Sequence, residues 1–104
     1  MEQDRFNRLS VYSATLHGHK YVLPVAVWLL ERTEKGAVSQ PEIRVGLVHA
    51  ESVRIFEALE RLAGIGALTE LPQVSGRRFF EQTPSPYWNF AQAAAASLDA
   101  GAKT

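Results

Sequence analysis

Five arginines fall between residues 40 and 82 (Arg44, Arg54, Arg61, Arg77 and Arg78), against six glutamates in the same span. A guanidinium is a flat fork of donors that meets carboxylate or phosphate oxygens two at a time. Arg54 sits among Ser52, Val53 and Glu57, a mixture of donor, acceptor and methyl groups on successive positions. A second chemistry is offered by His17-Gly18-His19, two imidazoles flanking a glycine that could ligate a metal. No carboxylate or third ligand lies close by in sequence, so a solvated loop with two ordinary histidines is the alternative. No glycine-rich phosphate loop, Ser/His/Asp arrangement or metal-spaced cluster is visible, and Asp4 and Asp99 lie near the ends of the chain. The expectation is a protein without catalysis, metal or cofactor.

The chain has 104 residues, 46% hydrophobic and 21% charged, which suits one globular domain. Cysteine is absent, which removes disulfides and thiolate metal sites. The first ten residues, MEQDRFNRLS, contain no apolar signal core, and the longest apolar run, Tyr21 to Leu30, contains Pro24 and is too short to span a bilayer. A cytoplasmic protein with no membrane partner is expected. Formal net charge is zero and the pI is about 6.8, whereas nucleic-acid binders usually carry a basic surplus. Any hold on a polyanion must come from where the arginines stand, and a dimer would double the contacts.

The elements that position these residues begin weakly. Phe6, Leu9 and Tyr12 recur every three residues, and Asp4 could cap a short helix. Residues 1–19 read either as a frayed arm with one apolar edge or as an arm packing on a partner subunit. Lys20 to Glu34 reads as a helix with a stripe of Tyr21, Val22, Val25, Trp28 and Leu29, Pro24 in its first turn and Gly36 closing it. Trp28 is taken as a core anchor. After a short strand at Ala37-Val38, Ser39-Gln40-Pro41-Glu42 spells a capping box. Ile43 and Leu47 then face inward and Arg44 outward, and residues 46–50 turn. From Ser52 a second helix carries Ile55, Leu59 and Leu62 on one face, with Val53 and Phe56 beside them, until Gly64 and Gly66 stop it.

Leu68 to Glu70 and the Phe79-Phe80 pair flank residues 72–76, Pro-Gln-Val-Ser-Gly, as two strands of a hairpin. Thr83-Pro84-Ser85-Pro86 breaks the second strand and offers Ser85 as a cap. The alanine-rich helix from Tyr87 to Leu98 places Tyr87, Phe90, Ala94 and Leu98 on one side with Trp88 and Ala91 adjacent. Such a face needs a partner surface, and the small residues favour contact with a second subunit. The tail from Asp99 to Thr104 is expected to fray.

The run Arg54-Ile55-Phe56-Glu57-Ala58-Leu59-Glu60-Arg61-Leu62, followed by Gly66-Ala67-Leu68-Thr69, resembles the second helix and wing entry of bacterial winged helix-turn-helix regulators of the MarR, PadR and ArsR kind. Arg78-Phe79-Phe80-Glu81-Gln82-Thr83 is similar to their second wing strand. The resemblance covers residues 20–83, with a C-terminal helix placed as in families that dimerise there. It implies a mainly α (α+β) fold: an arm at 1–19, a winged helix-turn-helix with a two-stranded wing at 20–83, and an additional, dimerising helix within 84–104. It also implies a homodimeric, sequence-specific regulator that binds double-stranded DNA.

In that fold the second helix enters the major groove by its N-terminal end, where His49, Ser52, Val53, Arg54 and Glu57 are available. Arg54 would fork to guanine, Ser52 would position on phosphate or base, Val53 would touch a thymine methyl and Glu57 would accept from cytosine. Arg77 and Arg78 at the wing tip would reach phosphate or the minor groove, and Arg44 the backbone. Dimer contacts would come from Tyr87, Trp88, Phe90, Ala91, Ala94 and Leu98. The alternatives are a solvated i, i+3 pair for Arg54 and Glu57 and a merely solubilising arginine pair. Zero net charge, with Glu51, Glu57 and Glu60 on the same helix, favours a winged-helix module that binds protein instead. A small effector between the Trp28 helix and the C-terminal helix is a further reading, although the same aromatics also make a sufficient core.

Overall fold

The computed structural model describes residues 1–102. Its described residues form five helices and a small three-stranded antiparallel sheet, a mainly helical α+β fold around one hydrophobic core. In chain order these are α1 (Gln3–His17), α2 (Val22–Glu31), β1 (Val38–Ser39), α3 (Gln40–Gly46), α4 (Ser52–Gly64), β2 (Leu68–Glu70), β3 (Phe79–Gln82) and α5 (Pro86–Ala102).

The centre is α2. Val22, Leu23, Pro24, Val25, Ala26, Val27 and Leu29 are all buried, so this helix is apolar nearly all round and is covered by α1, α3, α4 and α5. Its N-cap is Tyr21, which has no capping oxygen, and the first-turn donors are met from elsewhere. The Ser13 hydroxyl of α1 accepts the Leu23 N–H at 3.0 Å while donating to the His19 carbonyl at 2.6 Å. His19 Nδ1 accepts the Tyr21 N–H at 3.2 Å. The helix ends at Glu31, earlier than expected, because Arg32 turns extended and Lys35 Nζ donates to the Leu30 carbonyl at 2.9 Å.

Residues 3–17 are not an arm but a full helix on α2 and α5. Phe6, Leu9, Ser10 and Ser13 make its buried stripe, at helical spacing, while Tyr12 faces outward. Asp4 lies inside the first turn, and Glu2 is the cap, its carboxylate accepting the Asp4 N–H at 3.1 Å. Arg5 ties α1 to Glu31 of α2 and to Asp99 of α5, and Arg8 adds a 3.6 Å contact to Asp99. Asp99 is therefore helical and anchored; residues 103 and 104 of the expected tail lie outside the described residues.

The two glycines expected to stop α4 are not equivalent. Gly64 is helical, and Gly66 alone takes the left-handed conformation, φ 81°. Its N–H donates to the Ala63 carbonyl and the Ala67 N–H to the Leu62 carbonyl, the paired bonds of a Schellman stop. The chain then enters β2 with Leu68 buried. β3 pairs with β2 on one side and with β1 on the other, Val38 opposite Phe80, so the expected two-stranded unit has a third strand. Trp88 locks α5 to this sheet, its indole N–H donating to the carbonyls of Thr83 at 2.9 Å and Ala67 at 3.1 Å. Ser85 caps α5 by accepting the Tyr87 N–H at 3.2 Å.

Trp28 faces α3, where its indole lies against the Gly46 backbone; a methyl at Gly46 would stand 1.9 Å from Trp28 Nε1. Gly46→Ala should therefore destabilise the fold by about 1–3 kcal/mol, as overpacking does. Gly64→Ala meets open space and should change stability by no more than about 1 kcal/mol. Urea unfolding of the two variants side by side checks this.

Candidate nucleic-acid interface

The α3–α4 pair is held at its start by Glu42, whose carboxylate accepts the Ser39 N–H at 3.3 Å and the Ser39 hydroxyl at 3.0 Å. Ile43 and Leu47 are buried, as are Ile55, Ala58, Leu59 and Leu62 of α4. The opposite side of α4 consequently carries Val53, Glu57 and Glu60, with Arg54 and Arg61 along one flank and Phe56 along the other. Val53 is 69% exposed and Ser52 partly so.

The hairpin between β2 and β3 closes more tightly than the sequence suggests. Val74 and Arg77 form a bridge across Ser75 (φ 52°) and Gly76 (φ 75°), the two left-handed residues of a type I′ turn. Arg77 at this tip is exposed. Arg78, expected to reach outward beside it, turns back instead. Its Nε and Nη2 donate to the two Glu70 carboxylate oxygens at 2.7 and 2.9 Å, and its guanidinium lies 5.5 Å from the Phe56 ring and 5.4 Å from the Phe80 ring. This side chain fastens the hairpin to α4, and its charge is already matched.

The remaining expected contacts divide. Arg44 on α3 and Arg77 have no side-chain partner among the described residues. Arg54 is half exposed, its Nε 3.9 Å from Glu57 Oε1. Glu57 has a firmer partner: because His19 Nδ1 accepts a backbone N–H, the ring proton sits on Nε2, and it donates to Glu57 Oε1 at 3.1 Å. His49 is exposed in the α3–α4 turn, with its ring 6.2 Å from that of Phe6. One groove of about 320 Å³ runs between α3 and the hairpin tip, lined by Gln40, Pro41, Phe56, Ser75, Gly76, Arg77 and Arg78. A second, sharing Gln40 and Pro41, is lined by Arg44 and Val45, which puts Arg44 and Arg77 on adjoining ground. Gln40 and Glu70 carry no signal of a site in the sequence; Glu70 is legible there only as a strand residue.

The six residues expected at a subunit contact are corrected in part. Trp88, Ala91 and Ala94 belong to the chain's own core, since α5 closes against α2 and α1. Tyr87 and Phe90 pack around His17, with the Tyr87 hydroxyl hydrogen-bonded to His17 Nε2 at 3.0 Å. Burial, and then the charge of Arg61, hold that imidazole below its ordinary pKa. Leu98 alone stays at an outer groove, with Asn7, Arg8, Val11, Tyr12 and Thr15. His17 and His19 thus turn to different partners, and no group of three metal-ligating side chains comes together among the described residues. The space between α2 and α5 is a cavity of about 300 Å³ lined by Arg5, Val27, Leu30, Glu31, Gln92, Ala95, Ala96 and Asp99, and Trp28 is not in its wall. No described helix is long and apolar enough to cross a membrane.

No family model, curated protein or solved structure matches this chain. What the interface can bind therefore follows from its own geometry.

The Arg78 hydrogen bonds hold the Glu70 carboxyl below the ordinary carboxylate range. A group depressed in this way contributes fully above its unfolded pKa and loses that contribution as pH falls through the lower folded value. The hairpin fastening should accordingly persist through mildly acidic pH and release only below the usual carboxylate range. The Arg78 Nε–H resonance, followed by NMR as pH is lowered, should show that step, and Glu70→Gln should abolish it.

Proposed function

We propose that residues 20–83 are a winged helix-turn-helix of the MarR, PadR and ArsR kind, and that the protein is a cytoplasmic, homodimeric, sequence-specific regulator that binds double-stranded DNA. The observation that carries this reading is the fastening of the hairpin to α4 through Arg78. It fixes Arg77 at the tip and leaves the N-terminal half of α4 open. A capped short helix, a turn, a second helix with an open outer side and a hairpin clamped beside it make a unit that enters a major groove and reaches the flanking backbone at once.

Magnitudes explain why two copies are needed. Among the described residues, the α3–α4 pair and the hairpin tip offer three cations without a strong internal partner, Arg44, Arg54 and Arg77. Affinity falls with log salt at about 0.9 per phosphate neutralised, so one chain would give a slope near −3 and a pair a slope near −5. Only the second approaches what specific duplex binding ordinarily shows. Base preference would rest on Arg54 with Ser52 and Val53, and Glu57 would favour cytosine by accepting from its amino group.

A second reading has its own observation. The outermost line of α4 is Val53, Glu57 and Glu60, and Val45, Val48 and Val74 are each more than 60% exposed on the elements around it. An acidic, partly apolar face suits a basic protein partner. A stoichiometric protein complex with no salt-sensitive duplex binding would select it.

Duplex selection followed by anisotropy at two salt concentrations tests the first reading. Arg54→Ala should cost about 1–3 kcal/mol on the preferred site and relax preference at one base position. Arg77→Ala and Arg44→Ala should weaken all duplexes alike, each flattening the salt slope by about 1 for every phosphate no longer neutralised. Unchanged affinity in the triple Arg44→Ala, Arg54→Ala, Arg77→Ala variant would overturn the assignment of the interface to these residues, and the absence of salt-sensitive duplex binding in the unmodified chain would overturn the DNA reading.

A further inference from the structure

We infer that His19 is a positioning residue for base discrimination: its buried imidazole holds the Glu57 carboxylate in one place on the outer side of α4, with one oxygen left for the amino group of a base. The inference rests on the DNA-binding reading and adds to it the side chain that sets one position of the preferred site.

His19 is 5% exposed and lies in the short connection between α1 and α2. It is held through both its backbone and its ring. Its carbonyl accepts the Ser13 hydroxyl at 2.6 Å, and its Nδ1 accepts the Tyr21 N–H at 3.2 Å. The ring stands edge-on to that of Tyr21, 6.2 Å between centroids. With Nδ1 taken as an acceptor, the ring proton is on Nε2, 3.1 Å from Glu57 Oε1. An imidazole fastened in this way cannot follow a carboxylate that moves, so the carboxylate must come to it.

The Glu57 side chain is itself 48% exposed. Its two internal contacts fall on the same oxygen, Oε1: the His19 bond and Arg54 Nε at 3.9 Å. Oε2 has no partner among the described residues. A carboxylate pinned by one oxygen presents the other as an acceptor of fixed direction. A loose glutamate would lose rotamer freedom on meeting a base and could turn away from an unsuitable one; here that freedom is given up on folding. The base group it suits is an exocyclic amine, and cytosine N4 is the one that glutamate accepts from in the major groove. Guanine and thymine offer acceptors there, which a held carboxylate rejects. Arg54 can leave Oε1 for a base, and His19 then still holds Glu57.

Two substitutions separate holding from folding. His19→Gln keeps an N–H donor at the reach of Nε2 and loses the ring acceptor for Tyr21; His19→Asn keeps an acceptor near Nδ1 and is too short to reach Glu57. Both are expected to lower the urea midpoint, so stability does not distinguish them, whereas base preference does. In duplex selection, the unmodified chain and His19→Gln should prefer cytosine at one position by about tenfold, as a hydrogen bond to a charged group gives. His19→Asn and Glu57→Ala should lose that preference, and the His19→Asn salt slope should stay as it was. In the unmodified chain without DNA, the imidazole 15N spectrum should show the His19 proton on Nε2.

Salt-sensitive duplex binding with the same base preference in the unmodified chain and in His19→Asn would make His19 a structural residue only, and would overturn the inference while leaving the DNA reading intact. Preference lost equally in His19→Asn and His19→Gln would trace it to folding and overturn the inference as well. A proton on Nδ1 in the imidazole spectrum would remove the hold on Glu57 itself. No duplex binding at low salt in the unmodified chain would overturn both the inference and the reading beneath it.

Discussion

Burial of α2 on every side is the constraint from which the remaining geometry follows. A ten-residue helix without a polar face has no preferred orientation of its own, so its position is set by what caps and covers it. The caps come from Ser13 and His19, side chains of the preceding helix and loop, and both are satisfied only when α1 lies across the start of α2. With α2 fixed, α4 packs on it through Ile55, Ala58, Leu59 and Leu62, and the outer side of α4 is determined by exclusion. His19 links the two ends of this chain of dependence. One ring nitrogen holds the N-terminus of α2 and the other holds Glu57 on the outer side of α4. An imidazole can serve both only as the Nε2–H tautomer.

The hairpin is held on a different principle. A short hairpin is marginal in water by itself, and this one gains a third strand at β1 and a clamp at Arg78. The clamp needs arginine in particular: a planar cation can lie between two rings while its edge forks to Glu70, and an ammonium can do only part of that. The consequence is a division of labour between adjacent residues. Arg78 lends rigidity and no net charge, and Arg77 lends charge at a rigid tip.

How far the sequence discloses this depends on where each residue's partner lies. α4, the Ser39–Glu42 pair, the Gly66 stop and the cap at Ser85 are legible, because each is a local pattern within a turn or two of chain. α1 is not, because two of its four buried positions are Ser10 and Ser13, which break the apolar stripe and whose role depends on α2. β1 escapes notice as part of a sheet, since two residues acquire meaning only by pairing with Phe79 and Phe80. The aromatic face of α5 is visible, but which surface it meets is not. Trp88 finds its acceptors at Ala67 and Thr83 of its own chain, and nothing in an alanine-rich helix distinguishes that from a second subunit. The pairing of Arg78 with Glu70 depends on the register of a hairpin whose turn residues, not its strands, fix it.

A chain with no net charge can still present charge where it matters, if its ions are sorted. The carboxylates Glu31 and Asp99 bind Arg5 and Arg8 at the junction of α1, α2 and α5, and Glu70 binds Arg78 inside the hairpin. Those pairs withdraw as many anions as cations from the surface, and leave Arg44 and Arg77 open on adjoining ground. Glu57 and Glu60 on the outer line of α4 oppose them, which weakens the hold on any phosphate backbone. On a helix that reads bases, however, a fixed carboxylate rejects every base edge that presents only acceptors. His19 holds Glu57 in one place, and rejection of that kind requires a charge that cannot swing aside. Under the proposed DNA-binding reading, neutral bulk charge and an acidic outer side of α4 suit a binder that is weak on most sequences and selective on a few. Its non-specific affinity would be low for the same reason that its discrimination is high.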